Sequence, residues 1–136
     1  MAIKLNPYIN FSGNTQEAME FYKSVFGGEL TLSKFSEFPQ MEVPEGYEDK
    51  IMHAQLVSGD ITIMASEGKP GGEVVKGDNF SLSLSGDDEE ELTKLFEALG
   101  EGGQVTMPLE KQMWGDTFGM IIDKFGISWM VNIAAK

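Results

Sequence analysis

Apolar and polar positions along the chain fall into short alternating runs, interrupted twice by a stretch whose apolar residues recur every three or four positions. Residues 3–11 alternate as a strand does, and Asn14 with Glu17 three residues later has capping-box spacing, so a helix is predicted over about 15–26. Its Ala18, Phe21, Tyr22, Val25 and Phe26 set a bulky apolar stripe against a flat partner, with Gly27 and Gly28 marking the exit. Strands are predicted over 29–35, 50–57 and 61–66, the last two joined by a tight turn at Ser58-Gly59-Asp60. The stretch 36–49, rich in Pro, Glu and Gly, reads as a mobile loop.

The second half repeats this order. A strand over 80–85 precedes Asp87 and Glu90 at the same cap spacing, and a helix carries Leu92, Leu95, Phe96 and Leu99 up to Gly100. Strands over 104–109, 115–123 and 127–133 follow, with a turn at 123–126 and a linker between the halves at 66–79. The chain therefore reads as one α+β domain, 1–136, made of two βαβββ modules, 3–67 and 78–134. Each amphipathic helix covers one sheet face, so the duplicated unit predicts a curved eight-stranded mixed sheet whose other face forms a concave cavity.

Composition narrows the chemistry. With no Cys among 136 residues there is no disulfide, zinc thiolate site or cysteine nucleophile, and a reducing cytoplasm fits. A formal net charge of −12 repels phosphate backbones, so no nucleic-acid partner is expected; keeping a small protein soluble is reason enough for the acidity. No apolar run has signal-peptide or membrane-spanning length, which predicts a cytoplasmic protein without a membrane partner.

Alternation separates core from cavity, because successive side chains on a strand point to opposite faces. Ile9 and Phe11 are assigned to the core, leaving Asn6, Tyr8 and Asn10 to the cavity, with a one-residue slip that would bring in Pro7. Met52, Ala54 and Leu56 are assigned inward, placing His53 and Gln55 on the cavity side, and Met64 follows from Ile61, Ile63 and Ala65. Phe80, Leu82 and Leu84 are read as core with Asn79, Ser81 and Ser83 opposite, and Trp129, Val131 and Ile133 as core with Met130 and Asn132 opposite. His53 is the single histidine and the candidate catalytic group, a general base or hydrogen-bond donor near neutral pH; the competing reading is a polar residue satisfied by a loop or backbone partner. Tyr8 would orient a ligand, against the commoner role of a packed aromatic with a wetted hydroxyl. Met64, Met113, Met120 and Met130 would line a soft apolar pocket beneath Trp114 as a lid, against plain core filling.

Other chemistries fail on their own terms. The turn after the first strand, Ser12-Gly13-Asn14, has one glycine where a nucleoside-cofactor loop needs several, and Glu89, Glu90 and Glu91 sit at a helix start, where they complement its dipole. There is no nucleophile elbow.

The segments PYINFSGNTQEAMEFYKSVFGGE, DKIMHAQL, LFEALGEGGQVTMPL and MWGDTFGMIIDKFGISWMVN, in that order, resemble the vicinal oxygen chelate superfamily of glyoxalase I, extradiol dioxygenases and bleomycin resistance proteins. Within it they resemble the PhnB-like branch, labelled 3-demethylubiquinone 3-methyltransferase-like. The resemblance implies a homodimer and, in the metal enzymes, four His, Glu or Gln ligands holding one divalent ion. It places those ligands here at Asn6 or Pro7, Met64, Asn79 and Met130, a set of amides and thioethers unfit for a hard dication. The expectation is a protein without metal or cofactor that binds a small organic molecule through Tyr8, Asn10, Gln55, Met64, Asn79, Ser81, Trp114, Met120, Met130 and Asn132. The alternatives are a metal-dependent or His53-dependent lyase, isomerase or dioxygenase, and the methyltransferase of the branch label.

Overall fold

A computed structural model describes residue 3 and residues 5–37, 45–67, 77 and 79–135. Its elements follow the predicted order: β1 (Tyr8–Phe11), α1 (Thr15–Phe26), β2 (Glu29–Lys34), a 3-10 turn at Phe35–Glu37, β3 (Ile51–Ser58), β4 (Ile61–Glu67), β5 (Leu82–Gly86), α2 (Glu89–Gly100), β6 (Gln104–Lys111), β7 (Thr117–Ile122) and β8 (Ser128–Ile133). The α+β class and the two βαβββ orders stand, and the strands bond four by four into two mixed sheets. The chain divides into two compact units, Met1–Lys76 and Gly77–Lys136. Residues 38–44 of the expected loop, and most of the expected linker, lie outside the described residues. Among the described residues no helix is long and apolar enough to cross a membrane.

In the first unit the sheet order is β1-β4-β3-β2, with β1 parallel to β4 and the other neighbours antiparallel. Helix α1 lies on one face and buries Ala18, Met19 and Tyr22 on the same side as Ala54, Leu56, Ile63 and Ala65. Burying a side chain such as Leu56 or Ile63 is worth about 1.5–3 kcal/mol, and this layer holds the strands in register. Three local expectations are corrected. Strand β1 begins at Tyr8 rather than residue 3. The register shift between Ser33 and Lys34 puts Ile51 into the core in place of Met52, because the extra residue of a bulge reverses the phase of alternation. Asn14 makes no side-chain cap; the Glu67 carboxylate accepts from the backbone N–H of Gly13 at 2.5 Å and more weakly from that of Thr15 at 3.4 Å. Glu67 follows Ile63 and Ala65 on the helix side of β4, so its negative charge reaches the positive end of α1.

The second unit repeats the plan as β5-β8-β7-β6, with β5 parallel to β8. Leu92, Leu95, Phe96 and Leu99 of α2 are buried, as are Ile121, Trp129, Val131 and Ile133 of the sheet. Gly119 of β7 allows this closeness, since a Cβ there would stand 2.8 Å from the Phe96 ring. The cap is shifted by one residue: Asp88, not Asp87, accepts from the Glu91 N–H at 3.0 Å. Phe80 is not core. Pairing with β8 begins at Leu82 opposite Trp129, which leaves Phe80 ahead of the strand and 69% exposed.

Candidate functional site

Residues opposite one another in neighbouring strands project from the same face, so register gathers side chains that the sequence separates. On the face of the first sheet away from α1, Tyr8, Met64, Gln55 and Thr31 form one row across β1, β4, β3 and β2. Asn10 pairs with Ser66, whose hydroxyl donates to the Asn10 amide oxygen at 3.2 Å. His53 lies two residues along β3 from Gln55, opposite Ser33. The Tyr8 hydroxyl stands 3.2 Å from His53 Nδ1, with ring centroids 5.8 Å apart. When the imidazole is neutral and Nδ1 is bare, Tyr8 donates and Nε2 carries the proton. Tyr8, Asn10, His53, Gln55 and Met64 thus share one open face, and His53 has a side-chain partner.

The second sheet presents a different surface away from α2. Met107, Met120, Met130 and Ser83 form one row across β6, β7, β8 and β5. Glu110, Phe118, Asn132 and Ser85 form the next. Trp114, in the β6–β7 turn, sets its ring at 62° to that of Phe118 with centroids 6.3 Å apart, and is 60% exposed. Asp116 accepts from the Asn132 amide nitrogen at 3.1 Å and from the Ala135 N–H at 3.0 Å. The Asn132 bond, followed by that from Ala135, holds the Asp116 carboxyl below its ordinary value, against a smaller opposing effect of burial.

Met120, Met130, Asn132 and Trp114 therefore fall on or beside this face, while Met113 projects almost wholly into solvent. Asn79 and Ser81 do not join the ladder; they precede β5, and Ser83 and Ser85 take the positions expected of them. Phe118, Met107, Glu110, Asp116 and Ser66 were outside the predicted ligand-binding set. In Thr117–Ile122 both phases of alternation carry apolar residues, and only the burial of Gly119 and Ile121 against α2 shows that Phe118 and Met120 face outward.

Register also revises the metal-ligand positions. Tyr8 stands opposite Met64, while Pro7 only lends its carbonyl to the Met64 N–H; Ser83 stands opposite Met130 in place of Asn79. A phenol and a thioether on the first sheet, and an alcohol and a thioether on the second, bring no negative charge and no imidazole, so neither pair suits a hard divalent ion. Among the described residues no three His, Asp or Glu side chains converge as a metal centre requires. The first strand–helix turn also fails as a nucleoside-cofactor cradle. Its Gly13 and Thr15 N–H groups already donate to the Glu67 carboxylate, so they are not open to an anionic group of an incoming cofactor.

A family profile described as 3-demethylubiquinone-9 3-methyltransferase matches residues 3–132. Protein YjdN of Escherichia coli K12 is 31% identical, the alignment covering 97% of this chain and 96% of that protein. The crystal structure of protein PA1353 from Pseudomonas aeruginosa is 39% identical with a TM-score of 0.83, covering 99% of this chain and all of that one. A PhnB protein from Bacillus cereus is 26% identical with a TM-score of 0.75, covering 97% of this chain and all of that one. The fold alone is shared, at 16% identity and a TM-score of 0.60, with a glyoxalase/bleomycin resistance protein/dioxygenase family enzyme from Burkholderia phytofirmans, over 93% of this chain and 95% of that one.

Proposed function

The chain belongs to the family described as 3-demethylubiquinone-9 3-methyltransferase, and from that premise we propose that it is a PhnB-like member of the glyoxalase and bleomycin resistance superfamily that binds a small organic molecule without a metal ion. On this reading it is a single cytoplasmic domain of two repeats, acting as a homodimer. The observation that carries it is the donor chemistry of the open sheet faces. Tyr8, Asn10, Gln55, Ser66 and Met64 on one sheet, and Met120, Met130 and Asn132 on the other, offer hydrogen bonds and polarisable sulfur, and the metal-capable groups beside them, His53 on the first sheet and Glu110 and Asp116 on the second, do not converge in threes among the described residues as a metal centre requires. The methyl transfer in the family's description finds no support at the first strand–helix turn, where Glu67 takes the donors.

An ion or ligand that binds only the folded state raises its melting temperature by mass action, by about 2.7 kcal/mol of stability at a hundredfold excess over Kd. Zn, Mn, Ni and Fe(II) salts are expected to leave the melting temperature of the purified protein unchanged, while members of a library of aromatic metabolites and drugs raise it, the same preparation giving a dimer mass by light scattering. Stoichiometric metal retained through purification, or several degrees of stabilisation by any of those ions, would overturn the reading.

The Tyr8 contact favours one alternative. With Tyr8 fixing Nδ1, His53 Nε2 is held in a single orientation and suits proton transfer to or from a bound molecule. Were the protein a His53-dependent lyase or isomerase, His53→Gln would abolish turnover of any substrate found and leave its binding almost intact. For a binding module, the same variant is expected to weaken binding only several-fold, by loss of one hydrogen bond.

A further inference from the structure

Building on the binding-module reading, we propose that the open face of β6, β7 and β8 takes a planar aromatic cation bearing an N–H donor. Two adjacent rows on this face have complementary chemistry. The first is a line of thioethers, Met107, Met120 and Met130, whose flexible polarisable groups pack well against the faces and edges of aromatic rings. The second puts Phe118 between Glu110 and Asn132, with the Trp114 ring set edgewise against it and largely open to solvent. A cation over an indole face is attracted by the ring quadrupole, with Trp the best of the three aromatic residues.

Negative charge flanks these aromatics on both sides. Glu110 is paired directly with Phe118 and is exposed, and Asp116 is bonded to Asn132 in the same row. The nearest basic residue along β6, Lys111, pairs with Thr117, and that row continues to Ile133 on the α2 side. Lys94 lies on α2 near Glu90, and Lys124 covers the Phe125 ring in the β7–β8 turn. Among the described residues of the two open rows there is no positive side chain to oppose a cationic ligand. Asn132 adds direction. An ionised carboxylate only accepts, so the Asn132 nitrogen faces Asp116 and its carbonyl oxygen is left to accept from a ligand N–H.

The test uses one ring system in three charge states: protonated 9-aminoacridine, neutral acridine and anionic acridine-9-carboxylate, each followed by dye anisotropy and by protein fluorescence. Of the two tryptophans Trp129 is buried and Trp114 exposed, so the part of the quenching that is lost with Trp114 reports this face. The 9-aminoacridine cation is expected to bind at least about tenfold more tightly than acridine, which corresponds to about 1.4 kcal/mol, and to quench Trp114. Trp114→Phe should remove the contact quenching of the exposed indole and weaken the anisotropy-measured affinity. Glu110→Gln and Asp116→Asn should each weaken binding several-fold, while Glu90→Gln on the solvent side of α2 should not. Because Asp116→Asn also disturbs the Ala135 contact, the exposed Glu110 variant decides if the other loses its fold.

Equal affinity for the three dyes would overturn the cation preference and leave the binding module standing, as would a loss in Glu90→Gln as large as in Glu110→Gln. Binding of 9-aminoacridine unaffected by Trp114→Phe and Glu110→Gln would place the ligand elsewhere and overturn the proposal. Failure of all three dyes to bind would also overturn it, whereas the general reading falls only if the metal-free ligand screen is empty as well.

Discussion

Asp123→Ala is expected to lower the melting temperature by roughly 10 °C. Asp123 is only 3% exposed, and its two oxygens serve three donors: Oδ1 accepts from the Phe125 N–H at 2.9 Å and the Ile127 N–H at 3.0 Å, and Oδ2 accepts from the Trp129 indole N–H at 2.9 Å. These bonds set the β7–β8 turn and fix the largest buried side chain of the core. Alanine would strand donors in a site closed to water, each at about 1–3 kcal/mol, so a total of about 3 kcal/mol is a modest expectation. For a domain of this size that is worth several degrees per kcal/mol. Asp123→Asn separates the contributions. Its carbonyl oxygen can still serve the two backbone N–H groups, but its amide nitrogen then meets the indole N–H donor to donor, so an intermediate loss is expected. Trp129→Phe added to Asp123→Asn should cost less than Trp129→Phe in the parent, because the clash goes with the indole. Chemical denaturation of the parent and these variants checks this; a loss below about 1 kcal/mol for Asp123→Ala would show that the turn is held by its backbone bonds alone.

The same turn shows what kind of information sequence carries. Its position could be read from the composition of 123–126, because turn residues act locally. The triple use of Asp123 could not, since it depends on the Trp129 indole swinging back over the turn. Helix α1 shows a similar division. Its span, 15–26, followed from the periodicity and the glycine exit, whereas its N-terminal partner is Glu67, more than fifty residues along the chain, and a local capping rule points to Asn14 instead. Strand β5 begins two residues later than alternation suggested. Phe80, Leu82 and Leu84 share a phase, but phase reports facing and pairing decides where a strand begins.

The open faces were half legible for the same reason. Alternation alone placed Tyr8, Asn10, Gln55 and Met64 on one side of the first sheet, and register then made them neighbours. The Tyr8–His53 contact was hidden because it needs three strands in a particular stagger: β1 on β4, and β4 on β3. In the second sheet the anionic and aromatic row of Glu110, Phe118 and Asn132 was hidden by a strand whose more apolar phase, Phe118, Met120 and Ile122, is the one that faces away from α2. The electrostatics of that face, on which the cation proposal rests, are a product of pairing, because net charge is a property of the whole chain and says nothing of where Glu110 stands.

The two glycines that end α1 make the second large prediction, and they are expected to differ sharply. Both have positive φ, +74° at Gly27 and +86° at Gly28, so an alanine at either position is strained by about 1 kcal/mol or more. At Gly27 nothing lies within 4 Å of the added Cβ, and Gly27→Ala should show that backbone cost alone. At Gly28 the Cβ would overlap the Val57 carbonyl oxygen and fall 2.7 Å from the Ser58 Cβ. The obstacle is the backbone of β3 at the point where β2 begins pairing, Glu29 with Val57, and where the Ser58 hydroxyl donates to the Phe26 carbonyl at 2.7 Å. That backbone cannot rotate aside as a side chain would; relief requires α1 or the β2–β3 pair to move, and both are held by the buried layer of Ala18, Met19, Tyr22, Ala54 and Leu56. Gly28→Ala is therefore expected to cost about 3 kcal/mol or more, at the upper end of what single substitutions do, with loss of hydrogen-exchange protection concentrated at Glu29–Lys34. Equal losses for Gly27→Ala and Gly28→Ala would mean that positive φ is the whole cost and that β3 can give way, which would in turn make the row of Gln55 and His53 on that strand softer than its register implies.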